Sequence, residues 1–263
     1  MVKEYIVDQN YGRYTEEEHA RWRFLYNRQA DILKTRASKE FLNGLDDLNI
    51  NPNEIPDFEK LSDRIEKRTG WRIVAVDGLI PDDVFFTLLA EKRFPITWWI
   101  RPEDKLDYIQ EPDLFHDCYG HIPLLINPFF SDFMQLYGKK GLNALGTGDL
   151  QYLARLYWYT TEFGLINTDD GLKIYGSGIV SSKGESIYCL EDDKPYRVKF
   201  SLKRIMLTEV IIYKFQDIYF VIDSYEDLVN ALNEPLREIY PSLSGLKEYA
   251  ADEIRDDDKR IEI

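Results

Sequence analysis

Residues 113–123 read Asp113-Leu114-Phe115-His116-Asp117-Cys118-Tyr119-Gly120-His121-Ile122-Pro123. Of the three histidines in the chain, two stand five residues apart in this largely apolar stretch. Imidazole is a ligand for iron, zinc, copper and nickel, so a histidine pair in this setting indicates a metal site. The alternative is that His116 and His121 are both buried and hydrogen-bonded within the core.

A candidate for the third ligand lies farther along, in Tyr157-Trp158-Tyr159-Thr160-Thr161-Glu162-Phe163-Gly164. Burying a lone carboxylate is costly unless it is paired or binds a metal, and the apolar neighbours of Glu162 favour burial. Two histidines and one carboxylate form the facial triad of non-haem Fe(II) oxygenases. The alternative for Glu162 is a surface position or an ion pair with Arg155, seven residues earlier on one helix face.

The spacing of the two histidines restricts the backbone between them. Five residues along a straight α-helix turn by about 500°, which leaves the side chains of His116 and His121 about 140° apart. Both side chains can reach one metal only if the helix is interrupted. Gly120 and Pro123, on either side of the second histidine, predict such an interruption and hence a helix end.

The bulk composition excludes several classes of protein. The 263 residues suit one large domain or two small ones, and the formal net charge of −14 repels phosphate backbones, so no nucleic-acid partner is expected. The N-terminus has no apolar signal core, and no uncharged apolar run approaches the roughly 20 residues of a membrane helix. We therefore expect a cytoplasmic protein with no membrane partner and with reduced thiols. We interpret Cys118 as a small buried side chain.

The hydrophobic pattern predicts a mainly α fold with small β elements, of the α+β class. Helices are expected over 15–45, 57–69, 81–93, 114–125, 130–137, 148–163 and 225–233. Short strands are expected over 71–76, 187–190, 196–200, 210–213 and 218–222, and a short strand or extended piece over 96–101, whereas 174–179 is expected not to be helical. The charged tail from about residue 245 is expected to be loosely held.

Arg101 follows the apolar run Ile96-Thr97-Trp98-Trp99-Ile100. A guanidinium in this setting is suited to clamp a carboxylate in bidentate fashion, and the alternative is an ordinary surface arginine at a strand end. Ser181 and Ser182 are candidates to donate to the same carboxylate, and their alternative is solvation of a loop. Gly176 and Gly178 do not make a dinucleotide-binding motif, because the third glycine is missing.

Several strings, in order and at fitting spacing, resemble the pterin-dependent aromatic amino acid hydroxylases. The strings are Ile100-Arg101-Pro102, Gln110-Glu111-Pro112-Asp113, Phe115-His116-Asp117, Gly120-His121-Ile122-Pro123, Tyr157-Trp158, Thr161-Glu162-Phe163-Gly164, Tyr175-Gly176-Ser177-Gly178, Ser181-Ser182 and Gly184-Glu185. The resemblance spans about residues 70–230 and is strongest to the short bacterial members that hydroxylate phenylalanine at its para carbon.

The resemblance implies a helical basket around a non-haem Fe(II) held by His116, His121 and Glu162, with tetrahydrobiopterin or a related reduced pterin as co-substrate. The implied pterin contacts are Gly78, Leu79, Ile80, Phe85 and Asp117. The implied contacts to the amino acid are Arg101, Pro112, Trp158, Phe163, Gly178 and Ser181. The implied reaction converts L-phenylalanine, O2 and tetrahydrobiopterin to L-tyrosine and 4a-hydroxytetrahydrobiopterin, with metal and cofactor supplying the oxygen chemistry.

The resemblance also implies one catalytic domain over 1–263, with an N-terminal helical extension over about 1–70, a catalytic core over 71–240 and a charged tail over 245–263. The first 70 residues are too short for the regulatory domain of animal members. The C-terminus has no sustained heptads of the kind that tetramerise those members, so a monomer is expected.

Several alternatives to phenylalanine hydroxylation stay open on the sequence. The first is hydroxylation of tyrosine or tryptophan, although Ile212 matches a pocket position and favours a ring without a hydroxyl group. The second is a non-catalytic protein that binds metal or pterin. The third is a zinc hydrolase in which Asp117 or Glu111 acts as general base.

Overall fold

The structure is a computed structural model and describes residues 2–262. Helices dominate it, so the predicted mainly α fold with small β elements is confirmed. The α-helices are α1 (Glu16–Leu33), α2 (Lys39–Asp47), α3 (Phe58–Thr69), α4 (Asp82–Ala90), α5 (Pro128–Ala144), α6 (Leu150–Tyr157), α7 (Ser177–Val180), α8 (Glu185–Glu191), α9 (Leu202–Met206), α10 (Glu226–Asn233) and α11 (Leu236–Leu243). Two π-helices span Phe115–His121 and Trp158–Glu162.

Two small sheets complete the architecture. The strands are β1 (Arg72–Val76), β2 (Arg93–Thr97), β3 (Leu165–Thr168), β4 (Gly171–Ile174), β5 (Tyr196–Lys199) and β6 (Ile218–Ile222). β1 and β2 are parallel and are joined through α4, with Arg72 opposite Arg93. The second sheet has the order β4-β3-β6-β5, in which β3 and β4 form an antiparallel hairpin and the other pairs are parallel.

Local capping signals fix the ends of the first helices. The side chain of Thr15 accepts from the backbone of Glu18, and the Glu18 carboxylate accepts from the Thr15 backbone, so the predicted capping box starts α1. The helix predicted over 15–45 is two helices, because the chain leaves α1 after Leu33 and Ser38 caps α2. α3 ends at Gly70, which has a φ of 79° and adopts the left-handed conformation that favours glycine.

Four predicted elements are wrong in type or position. Residues 187–190 lie in α8 and residues 177–180 in α7, whereas 210–213 form an irregular loop. The strand or extended piece predicted over 96–101 shares only Ile96 and Thr97 with β2, because β2 begins earlier, at Arg93, where the helix prediction had ended. A short apolar run does not show whether it belongs to a strand or to a buried helix, and the packing around it decides.

The C-terminal tail is bound to the body, contrary to the expectation of a loose segment. The backbone N–H of Ile261 donates to Arg197 O, and Tyr249 exchanges backbone hydrogen bonds with the segment that follows α9. The buried Arg204 forms an ion pair with Asp258 at 2.9 Å. These contacts hold the tail because they pair polar groups of the tail with polar groups of the rest of the domain. Within residues 2–262, no helix is long and apolar enough to cross a membrane.

Candidate active site

The first π-helix brings the two histidines together. Its backbone bonds run from residue i to i+5, so residues five apart lie one turn apart on the same face. The ring centroids of His116 and His121 are 5.1 Å apart. The interruption expected at Gly120 and Pro123 is therefore replaced by a wider helical turn, and Pro123 lies in the 3-10 turn that follows. Gly120 permits close packing, since a Cβ there would lie 3.0 Å from Ser177 O.

Glu162 ends the second π-helix and faces both imidazoles. Its Oε1 lies 3.2 Å from His121 Nε2, and its Oε2 lies 3.6 Å from His116 Nε2. The side chain is buried, and Arg155 pairs instead with Glu248, so the predicted burial holds and the alternative ion pair does not form. Burial alone raises the pKa of Glu162, but the neighbouring imidazoles outweigh it and lower the pKa to about 2.

Ser177 in α7 and Ser181 directly after it orient two of these three side chains, those of Glu162 and His116. Ser181 Oγ lies 2.9 Å from His116 Nδ1, which leaves Nε2 directed towards Glu162. Ser177 Oγ lies 2.9 Å from Glu162 Oε2 and fixes the carboxylate. The Nδ1 of His121 is buried without a hydrogen-bond partner among the described residues. Side chains that ligate metals are commonly held by such outer hydrogen bonds.

The three side chains fit a metal ion. Their ligand atoms all lie within 4.8 Å of one another, and no other group of three His, Cys, Asp or Glu residues within 2–262 could hold an ion in this way. Two imidazole nitrogens and one carboxylate oxygen form the donor set of non-haem Fe(II) sites. The set leaves the remaining positions around an ion open to other ligands.

A cavity of about 790 Å³ adjoins this cluster. The five residues expected to contact pterin line it, and they are Gly78, Leu79, Ile80, Phe85 and Asp117. The six expected to contact the amino acid also line it, and they are Arg101, Pro112, Trp158, Phe163, Gly178 and Ser181. Residues separated by up to about 100 positions in the sequence therefore meet at one cavity. Its volume suits a drug-sized ligand.

The two groups of lining residues differ in setting. Leu79 lies at the rim and is 84% exposed, and Phe85 is half-buried with its ring 6.0 Å from that of Tyr157. Asp117 is buried and accepts from the backbone N–H of Thr97 at 2.7 Å, and burial raises its pKa. On the other side, the rings of Trp158 and Phe163 stack at 5.8 Å.

Arg101 is buried rather than a surface residue at a strand end. Its Nε and Nη2 donate to the two oxygens of Asp113 at 2.9 and 2.7 Å. Asp113 Oδ1 also accepts from the backbone N–H of His116 at 3.1 Å, which ties the guanidinium to the histidine segment. Burial alone raises the pKa of Asp113, but Arg101 outweighs it and holds the pKa below its usual value. Arg101 Nη1 has no partner among the described residues.

The sequence pattern did not assign a separate role to several residues that shape the site. They are Asp113, Tyr157, Ser177 and Glu185. Asp113 and Ser177 stand inside strings that were recognisable, but their partners lie 12 and 15 residues away in sequence. No local periodicity indicates such contacts, so only the folded arrangement shows them.

Comparison with known proteins places this site in a family. A family model described as biopterin-dependent aromatic amino acid hydroxylase matches residues 6–244. The chain belongs to this family. The phenylalanine-4-hydroxylase of Chromobacterium violaceum is 51% identical over 257 residues, which cover 98% of this chain and 86% of that protein. The phenylalanine-4-hydroxylase of Ralstonia nicotianae is 51% identical over 255 residues, which cover 97% of this chain and 82% of that protein.

Solved structures agree with the family assignment. The C. violaceum phenylalanine hydroxylase with bound oxidized Fe(III) matches with a TM-score of 0.95 and 52% identity, covering 98% of this chain and 94% of that chain. The same enzyme bound to cobalt matches with a TM-score of 0.96. The predictions of a hydroxylase of this family and of a biopterin co-substrate are thereby confirmed.

Proposed function

We propose that this hydroxylase converts L-phenylalanine to L-tyrosine, using Fe(II), O2 and a tetrahydropterin. The observation that carries the proposal is the convergence of His116, His121 and Glu162 on one wall of a cavity that also contains a buried arginine. Its close relatives named phenylalanine-4-hydroxylase support the choice of substrate. Bound iron and reduced pterin supply the activation of oxygen, and the protein supplies binding and orientation.

The metal ligands would be His116 Nε2, His121 Nε2 and one oxygen of Glu162. As metal ligands, Glu162 would be ionised and both imidazoles neutral. Ser181 fixes the ring of His116, and Ser177 fixes the carboxylate. Rigid placement of this kind keeps the open side of the site turned to the cavity.

The substrate would lie between Arg101 and the metal ligands. The carboxylate of the amino acid would accept from Arg101 Nη1, because Nε and Nη2 are bound to Asp113. The ring would lie among Trp158, Phe163 and Pro112, all of which line the cavity. Fixing both ends of the substrate points the para carbon towards the metal, and orientation lowers the barrier of a reaction substantially.

The pterin would occupy the part of the cavity lined by the 78–80 loop and Phe85. An aromatic side chain there offers a face for a flat heterocycle. Ile212, also on the cavity, presents no group that would hydrogen-bond a ring hydroxyl, which favours phenylalanine over tyrosine as substrate.

The proposal extends to the cellular location, the oligomeric state and the domain organisation of the protein. We propose a cytoplasmic monomer with one catalytic domain over 1–263, composed of an extension over about 1–70, a core over 71–240 and a tail over 245–263. Cys118 and Cys189 are free and buried, in keeping with reduced thiols. Light scattering should give the mass of one chain.

A product assay tests the function. Phenylalanine, tyrosine and tryptophan are offered in parallel with tetrahydrobiopterin and O2, and the iron content of the same sample is measured. Tyrosine from phenylalanine, formed only with iron and pterin, supports the proposal. Faster turnover of tryptophan or tyrosine would change the substrate. Binding of iron and pterin without product would indicate a non-catalytic protein, and pterin-independent hydrolysis with zinc would indicate a hydrolase.

A further inference from the structure

The carboxyl group of Glu185 is an element of the cavity wall that the proposed function leaves without a task. Glu185 begins α8 and is 5% exposed. It lies four residues after Ser181, and both side chains line the cavity. Its Oε1 accepts from Tyr219 Oη at 2.7 Å and from the backbone N–H of Gln216 at 3.2 Å.

The carboxyl group has no positive partner among residues 2–262. Lys214 lines the same cavity, but its ammonium lies 2.6 Å from Asp217. No described residue donates a hydrogen bond to Oε2 of Glu185. Burial accordingly raises the pKa of Glu185 to about 7, since a buried carboxylate without a cation is costly. A cationic ligand group in the cavity would remove that cost.

An α-amino acid carries such a cation. In the proposed function its carboxylate accepts from Arg101 Nη1, and its ammonium needs a hydrogen-bond acceptor near that end of the cavity. Asp113 is not free to accept from the ammonium, because both of its oxygens already accept from Arg101. We propose that Oε2 of Glu185 receives the α-ammonium of the substrate. This inference rests on the proposed function and makes Glu185 a specificity-determining residue for amino acids.

A purely structural role for Glu185 predicts a different behaviour. Through Gln216 and Tyr219 the same carboxyl group anchors the 210–217 segment, which contains the cavity residues Ile212 and Phe215. If anchoring is its only role, loss of the charge would weaken the binding of all ligands to the same extent. If it binds the ammonium, loss of the charge would weaken only those ligands that carry one.

The test measures binding to the iron-loaded protein by calorimetry with three ligands. They are L-phenylalanine, 3-phenylpropanoate, which lacks the ammonium, and 2-phenylethylamine, which lacks the carboxylate. Glu185→Gln should raise the dissociation constants of phenylalanine and phenylethylamine about tenfold or more, as expected for a lost charge-assisted hydrogen bond. The dissociation constant of 3-phenylpropanoate should stay within about twofold.

Two further variants make the result decisive. Tyr219→Phe removes a hydrogen bond to Oε1 but keeps the carboxyl group, so it should reduce the preference for phenylalanine over 3-phenylpropanoate much less than Glu185→Gln does. Glu185→Asp keeps the charge on a shorter side chain, should weaken phenylalanine selectively but less, and replaces Glu185→Gln if that variant does not fold. If Glu185→Gln raises the dissociation constants of all three ligands equally, or leaves that of phenylalanine unchanged, the inference about Glu185 is wrong and the proposed function still stands. Wild-type protein that binds no phenylalanine would overturn the proposed function as well.

Discussion

The buried pair of Arg101 and Asp113 shows how single residues set the properties of the site. Asp113 is fully buried, and its two oxygens accept from the guanidinium and from the backbone of His116. The arginine is thereby held in one orientation beside the metal ligands. A buried charge that loses its partner is strongly destabilising, so this pair is expected to affect both substrate binding and folding.

Asp113→Asn should raise the KM for phenylalanine by about tenfold and lower the free energy of unfolding by about 3–5 kcal/mol. The amide keeps the shape but not the charge that orients Arg101. Steady-state kinetics and urea unfolding measure the two effects. Asp170→Asn is the matched control, because it removes an exposed pair with Lys39 and should change neither. A variant with wild-type KM would show that the orientation of Arg101 does not depend on Asp113.

At the scale of elements, the two π-helices and α7 position the metal ligands. The first π-helix carries His116 and His121, the second carries Glu162, and the segment over 176–181 packs against both, with Gly176 against backbone. A Cβ on Gly176 would lie 2.4 Å from Glu162 O and 2.5 Å from Gly164 N. Backbone cannot yield as a flexible side chain does, so the absence of a side chain here is a requirement of the site.

Gly176→Ala should displace the end of the second π-helix. We expect loss of most of the bound iron and a decrease of about 1–3 kcal/mol in stability, the usual effect of overpacking. Metal analysis and urea unfolding check both values. Gly12→Ala, where a Cβ would meet nothing within 4 Å, is the control. Full iron content in Gly176→Ala would contradict the tight packing between the glycine and Glu162.

The tail is a further element with an energetic role. The side chain of Asp258 is 7% exposed and contacts Arg204, and although burial raises its pKa, Arg204 and the backbone N–H of Arg255 outweigh this and lower it. Asp258→Asn should lower the free energy of unfolding by about 1.5–3 kcal/mol at neutral pH and expose residues 245–262 to proteases. Because the pKa is lowered by folding, this stabilisation is lost as the pH falls below about 4. Asp257→Asn, which removes an exposed pair, should show neither effect.

At the scale of the whole molecule, distant segments enclose the cavity. Its lining runs from Val76 to Phe215, and it includes parts of β1 and β2, both π-helices and the 210–217 segment. The formal net charge of −14 is carried mainly at the surface. Few charged side chains are buried at the cavity. The protonation of each of them changes the free energy of unfolding of the whole domain.

Glu185 makes the free energy of unfolding depend on pH. Its pKa is about 7 in the folded protein and about 4.5 in the unfolded chain, so the folded state binds the extra proton between these values. Stability from this group therefore falls as the pH rises from about 4.5 to 7. The free energy of unfolding of Glu185→Gln should therefore increase relative to that of wild type as the pH rises from 5 to 8. The increase is about 1.4 kcal/mol for each pH unit that separates the folded and unfolded pKa values of Glu185. Urea unfolding at the two pH values measures this, and parallel changes in both proteins would refute it.

The sequence alone determined the family, the mainly helical class and the identity of the candidate ligands. It did so because the ligand residues, the capping box at Thr15 and the stop at Gly70 are recognisable within a few neighbouring positions. Only the tertiary structure decided that His116 and His121 share one face through a π-helix. The backbone hydrogen bonds of an α-helix span four residues, and those of a π-helix span five. Packing against α7, rather than local propensity, selects the π-helix here. The partners of Arg101 and Glu185, and the bound tail, depend likewise on contacts between segments that no periodicity connects.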